Sequence, residues 1–174
     1  MADRFQTHVA FSWCELLTND VASAKKFYKE LLDRKMEDEP IGEGAGTYTI
    51  LKVNSQPIGG IMAMPPQVPP GTPPHLGTYV TVDDVDSVAQ KAQELGTKIL
   101  VPPTYSPDVR FCVFEDPQRA FLSIITYSKK TDRKSIRFFG KYFAGLGARD
   151  IIHLPSFKIP ESTGEQFRGL QAAR

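Results

Sequence analysis

One segment of this chain occurs twice. Asn19-Asp20-Val21-Ala22-Ser23-Ala24 superposes on Asp83-Asp84-Val85-Asp86-Ser87-Val88 at a shift of 64 residues, and such a repeat commits the chain to two copies of one supersecondary unit. Before the first copy lies VAFSWCELL, and before the second GTYVTV. Their β-branched and aromatic residues suit a pleated, half-buried strand. After each copy the spacing becomes helical. Val21, Ala24, Phe27, Tyr28, Leu31 and Leu32 recur at three- and four-residue intervals, with Asp20 or Asn19 placed to cap the free amides. Val85, Val88, Ala89, Ala92 and Leu95 repeat the pattern, and Gly96 supplies the left-handed turn that stops it.

Short strands separated by turn residues follow each helix: GTYTILKV and IGGIMAM, then TKILVP, VRFCVFED and AFLSIITY. The expected fold is therefore α+β, two tandem βαβββ modules, one over about residues 6–64 and the other over about 75–127. Residues 57–74 hold 7 of the chain's 14 prolines. Proline resists both helix and central strand, so a linker is expected at about 65–74.

The formal charge of +1 conceals a division. Residues 1–127 carry 11 basic and 16 acidic side chains, a net of −5, while residues 128–174 carry 10 and 4, a net of +6. Two parts with different roles are expected: a body over 1–127 and a basic C-terminal extension over 128–174. With 41% hydrophobic and 24% charged residues the chain has the composition of a folded domain, which argues against a collagen or a disordered chain. Two cysteines, Cys14 and Cys112, are too few for a disulfide framework, and both are expected to be buried thiols. The charged start MADRFQTHVAFSW does not read as a signal peptide, and no later run reaches the roughly 18 apolar residues of a spanning helix. A cytoplasmic location is expected.

Several of these segments are familiar as a set. Trp13-Cys14-Glu15-Leu16-Leu17-Thr18-Asn19-Asp20, Ala24, Phe27-Tyr28, Gly59-Gly60-Ile61-Met62, Tyr79-Val80-Thr81-Val82-Asp83-Asp84-Val85-Asp86, Arg110-Phe111 and Glu115-Asp116-Pro117-Gln118 resemble the vicinal oxygen chelate superfamily. That superfamily includes glyoxalase I, bleomycin-resistance proteins and extradiol dioxygenases, and the best match is its branch of glyoxalase-like proteins of unassigned activity. The resemblance covers about residues 6–126. It implies a sheet that curls around a cavity shared by the two modules, and a homodimer. It also implies, for metal-dependent members, a divalent ion held by one side chain from the first strand of each module and one from a later strand of each. The matching positions here are Trp13, about Gly60, Gly77 and Ser123. An indole and two glycines are not metal ligands and a serine is a weak one, so no metal or other cofactor is expected.

Strand alternation puts Trp13 and Glu15 on one face, which the resemblance makes the cavity face. Glu15 among aromatic walls has its pKa raised by desolvation, and suits a general base or a counter-ion for a cationic ligand. A structural pairing with an arginine or a backbone amide is the alternative. Trp13, Phe11, Met62, Tyr79, Phe111 and Phe121, with Ser123, are candidate walls for a small, partly aromatic ligand, although each taken alone suits ordinary packing. His75 lies two residues before Gly77, so a non-standard metal site from Glu15 and His75 is conceivable, against the plainer reading of a loop histidine. Arg110 suits either an anion or solvent. Arg119 stands where the family has a glycine after Asp-Pro-Gln, which points to an altered turn.

The preferred reading is a protein that binds a small organic molecule without the usual metal. The alternatives are a lyase, isomerase or dioxygenase-type enzyme with Glu15 as base, and an interaction protein working through its extension. In that extension Ile136, Phe139, Phe143 and Leu146 share a helical face ringed by Arg133, Lys134, Arg137 and Lys141. A basic amphipathic helix of this kind is expected to dock on the acidic body or on a partner subunit, with membrane or nucleic-acid contact the lesser alternatives.

Overall fold

The structure, a computed structural model, describes residues 3–40, 47–65, 68, 70–106 and 109–128. The expected helix and docking surface of the basic extension lie outside the described residues. Within them the βαβββ order occurs twice. The first module runs β1 (Phe11–Thr18), α1 (Val21–Leu32), β2 (Lys35–Pro40), β3 (Thr47–Val53) and β4 (Gln56–Ala63). The second runs β5 (His75–Thr81), α2 (Val85–Glu94), β6 (Lys98–Ser106), β7 (Val109–Glu115) and β8 (Phe121–Tyr127).

All eight strands form one curled, unclosed sheet in the order β2-β3-β4-β1-β5-β8-β7-β6. Each module's first strand pairs in parallel with its last, β1 with β4 and β5 with β8. The modules join where β1 meets β5 in antiparallel fashion. The join follows an approximate two-fold axis: Trp13 pairs with Tyr79, and Glu15 pairs with Gly77. Under the 64-residue shift, Trp13 is the counterpart of Gly77 and Glu15 the counterpart of Tyr79.

Both helices start where the repeat placed them. Asp20 caps α1 by accepting from the Ser23 amide at 2.9 Å, and Asp84 caps α2 by accepting from the Asp86 and Ser87 amides. Gly96 ends the second helical segment at φ +88°. The two helices differ in anchorage: α2 buries Val85, Ala89 and Ala92, whereas α1 buries none of its residues.

Each face of the sheet has its own apolar cluster. The inner one gathers Phe5, Trp13, Leu17, Tyr48, Ile50, Met62, Tyr79, Phe111, Ile125 and Tyr127. The outer one, under α2, joins Val82, Val85, Ala89, Ala92, Cys112, Phe114 and Ile124.

Four local features depart from the sequence reading. Charged β2 gave no apolar alternation, yet it forms an edge strand, a position where charge suits solvent. Lys25 and Lys52 tie it down through ion pairs to Asp38 and Glu37. β6 runs on through Pro102 and Pro103, because it is the other edge and its register shifts there, so the missing amides cost little. Cys14 is exposed rather than buried, since alternation turns it away from the face that holds Trp13 and Glu15. Arg119 keeps the left-handed turn at φ +75°, and Asp116 Oδ1 holds it by accepting from the Gln118 and Ala120 amides, each at 2.8 Å.

Candidate functional site

The inner face at the module junction centres on Glu15, which is fully buried. Both neighbouring strands place a glycine beside it, Gly60 on β4 and Gly77 on β5. The dyad-related row holds Trp13, Tyr79 and Ser123 instead. One row is thus two glycines around an acid, and the other carries the bulk.

Gly60 makes room for Tyr48. A Cβ at position 60 would lie 2.0 Å from the Tyr48 hydroxyl oxygen and 2.3 Å from its ring carbon, so any side chain there would displace the ring. Into that space Tyr48 brings its hydroxyl, which donates to Glu15 Oε1 at 2.8 Å and accepts from Trp13 Nε1 at 3.0 Å. Since the indole N–H can only donate, the Tyr48 proton must point at the carboxyl. Glu15 Oε2 meets the Tyr79 hydroxyl at 3.2 Å, and Tyr79 in turn hydrogen-bonds Ser123. Tyr127 donates to Ser12 Oγ at 3.1 Å and stacks edge-on against Phe5.

Burial sets the electrostatics. Desolvation pushes the Glu15 carboxyl up from 4.5 to about 7, against the opposing effect of the hydrogen bonds from Tyr48 and Tyr79. Burial, the Glu15 charge and the hydrogen bond to it hold both tyrosines well above the ordinary phenol range.

The structure therefore brings Trp13, Glu15, Met62, Tyr79, Phe111 and Ser123 together on one buried face. Phe11 does not join them. It is 68% exposed, because the register slips between Phe11 and Trp13 and the two-residue alternation fails there. Phe121 lies at the rim, partly exposed, beside the His75 ring. Tyr48, Ile50, Tyr127 and Phe5 were not singled out in the sequence. Alternation along GTYTILKV signals Tyr48 and Ile50, while nothing local marks Phe5.

The outlying candidates have other engagements. His75 Nδ1 lies 2.9 Å from the Pro73 carbonyl oxygen. Arg110 forks onto Asp86 through two hydrogen bonds of 2.5 Å and covers the Tyr105 ring, and so is not the solvated arginine or open anion site of the sequence reading. Among the described residues, no three His, Cys, Asp or Glu side chains group so as to hold a metal ion. The positions that would carry ligands are Trp13, Gly60, Gly77 and Ser123, with Tyr48 filling the space at Gly60. These residues do not fit the metal of the metal-dependent relatives.

A curled sheet of paired βαβββ modules with a site at their junction defines a fold class, and comparisons give it a family. Residues 8–123 match the model of the Glyoxalase/Bleomycin resistance protein/Dioxygenase superfamily, and the chain belongs to that superfamily. Among curated relatives it is 35% identical over 114 residues to "Putative glyoxylase CFP32" of Mycobacterium tuberculosis, covering 65% of this chain and 44% of that protein. It is 27% identical over 117 residues to "Anthracycline biosynthesis protein DauV" of Streptomyces sp., covering 65% and 40%. The chain thus spans less than half the length of these relatives. Methylmalonyl-CoA epimerase from Mycobacterium tuberculosis shares the fold at 13% identity and a TM-score of 0.52, over 72% of this chain and 93% of that one. No helix among the described residues is long and apolar enough to cross a membrane.

Proposed function

We propose that this chain binds a small, planar, partly aromatic organic molecule at the module junction, without the metal used by metal-dependent members. The observation that carries this reading is the replacement at the junction: aromatic rings and a single buried carboxyl stand where a metal centre would need imidazole and carboxylate ligands. Flat rings favour flat ligands through stacking and large buried area. The Streptomyces relatives, named for the biosynthesis of anthracyclines, which are fused-ring compounds, support the same ligand class. The chain's one tryptophan, Trp13, lies in the site, so it reports on occupancy. Titration with fused-ring phenols and quinones is expected to quench its fluorescence saturably. Failure of every such compound to bind, with calorimetry as the second readout, would overturn the reading.

One observation favours catalysis as a second reading. A carboxyl near 7 is matched to proton transfer at neutral pH, so Glu15 suits the base of an isomerase or lyase step. Unchanged turnover in Glu15→Gln, once a substrate is found, would remove it. A homodimer belongs to the same proposal, supported by the exposed Phe27, Leu31 and Leu32 of α1. So does a cytoplasmic location, supported by two free cysteines.

A further inference from the structure

Glu15 is the only charged side chain buried among the described residues, and it belongs to none of their ion pairs. A buried carboxyl normally has a cation opposite it, because an unpaired ion in a dry interior is costly. Here tyrosine hydroxyls take that place, and aromatic rings surround it: Tyr48 and Tyr79 touch the carboxyl, Trp13 touches Tyr48, and Phe111 and Tyr127 complete the cluster.

From this arrangement we infer that the site selects ligands carrying a protonated amine, with Glu15 as the counter-ion and the rings as a cation-binding wall. This inference rests on the aromatic-ligand reading above and names the ligand's polar group. The chemistry follows from the inventory of donors. An ionised carboxylate accepts hydrogen bonds and cannot donate, so a group that enters beside Glu15 and displaces a tyrosine must itself be a donor. A neutral hydroxyl only replaces what Tyr48 and Tyr79 already supply. An ammonium group replaces the donor, neutralises the charge and gains attraction to the ring faces. The titratable groups facing Glu15 are Tyr48 from β3, Tyr79 from β5 and Tyr127 from β8. Burial holds all three above the ordinary phenol range, so none competes for the negative charge near neutrality.

A matched pair of probes tests this: 1-naphthylmethylammonium and 1-naphthalenemethanol, which share a ring and differ in charge, titrated by calorimetry at pH 8. The ammonium is expected to bind about tenfold more tightly than the alcohol. That ratio should fall to near one in Glu15→Gln, with a cooperative thermal melt showing that the variant is folded. Equal affinities in the natural protein overturn the inference and leave the aromatic-ligand reading standing. Binding of neither probe overturns the inference, and the aromatic-ligand reading falls with it when the fused-ring phenols and quinones also fail to bind. A second measurement needs no variant: at pH 6.5 the infrared band of the protonated Glu15 carboxyl should fall on addition of the ammonium and persist with the alcohol. A band indifferent to the ammonium overturns the inference.

Discussion

Glu15 and Tyr79, 64 residues apart and equivalent in the two repeats, hydrogen-bond each other across the module junction at 3.2 Å. A symmetric duplication would place like beside like. This chain has an acid on one side of the axis and a phenol on the other, with glycines flanking the acid and Trp13 and Ser123 flanking the phenol. The difference between the copies makes the site.

The Gly60–Tyr48 contact gives the first prediction. Gly60→Ala should push Tyr48 off the Trp13 and Glu15 hydrogen bonds and cost about 1–3 kcal/mol, the usual range for overpacking a core. Tyr48→Leu alone should also destabilise, by removing the hydroxyl that donates to the buried Glu15 carboxyl and accepts from the indole N–H. The double variant should lose less than the sum of the two, since the clash needs both residues. Urea unfolding of the three proteins measures the coupling, and strict additivity would refute the packing account.

Stability should fall as pH rises through the titration of Glu15. The unfolded carboxyl titrates near 4.5 and the folded one near 7. Below 4.5 it is protonated in both states and costs nothing. Above that the unfolded chain releases its proton first, so stability declines and levels off beyond about 7, by roughly 3 kcal/mol. Glu15→Gln resembles the neutral acid and should remove this decline, leaving the variant more stable than the natural protein at pH 8 and similar at pH 4. Parallel denaturation curves at the two pH values check it. A natural protein as stable at pH 8 as at pH 5 would contradict the buried carboxyl.

The two helix caps are alike in chemistry and unlike in consequence. Asp84→Ala should lower global stability by about 1 kcal/mol, because α2 packs Val85, Ala89 and Ala92 into the outer core. Asp20→Ala should act mainly on α1, which buries nothing, and appear as faster amide exchange there with a smaller change in melting temperature. Equal losses in melting temperature would argue against this difference in anchorage.

Arg119 holds a turn at φ +75°, where a side chain is strained. Arg119→Gly should relieve that strain and gain up to about 1 kcal/mol, less the loss of its ion pair to Glu115, whose worth at the surface is small. A fall in melting temperature would show that the pair matters more than the backbone.

Much of this architecture was legible in the repeat. The repeat marked both helix starts, with Asp20 or Asn19 offered as the first cap, and alternation from Trp13 to Glu15 marked the inner face, because repeats and two-residue periods are local signals; the Asp84 cap came from the structure. Phe11 was misplaced for the same reason: alternation cannot anticipate a register slip set by the partner strand. Gly60 was visible and Tyr48 was not singled out, and their mutual dependence is a contact between strands, so no window of sequence contains it. The edge strand β2 escaped notice because its stability comes from pairing and ion pairs rather than from an apolar face.

Under the proposed function the junction holds an organic ligand rather than a metal. Native mass spectrometry of freshly purified protein, prepared without chelator, tests it most directly. A mass free of stoichiometric metal is expected, with an added mass of a small organic molecule after incubation with a fused-ring amine. Stoichiometric nickel, zinc, iron or manganese retained by the folded protein would contradict it.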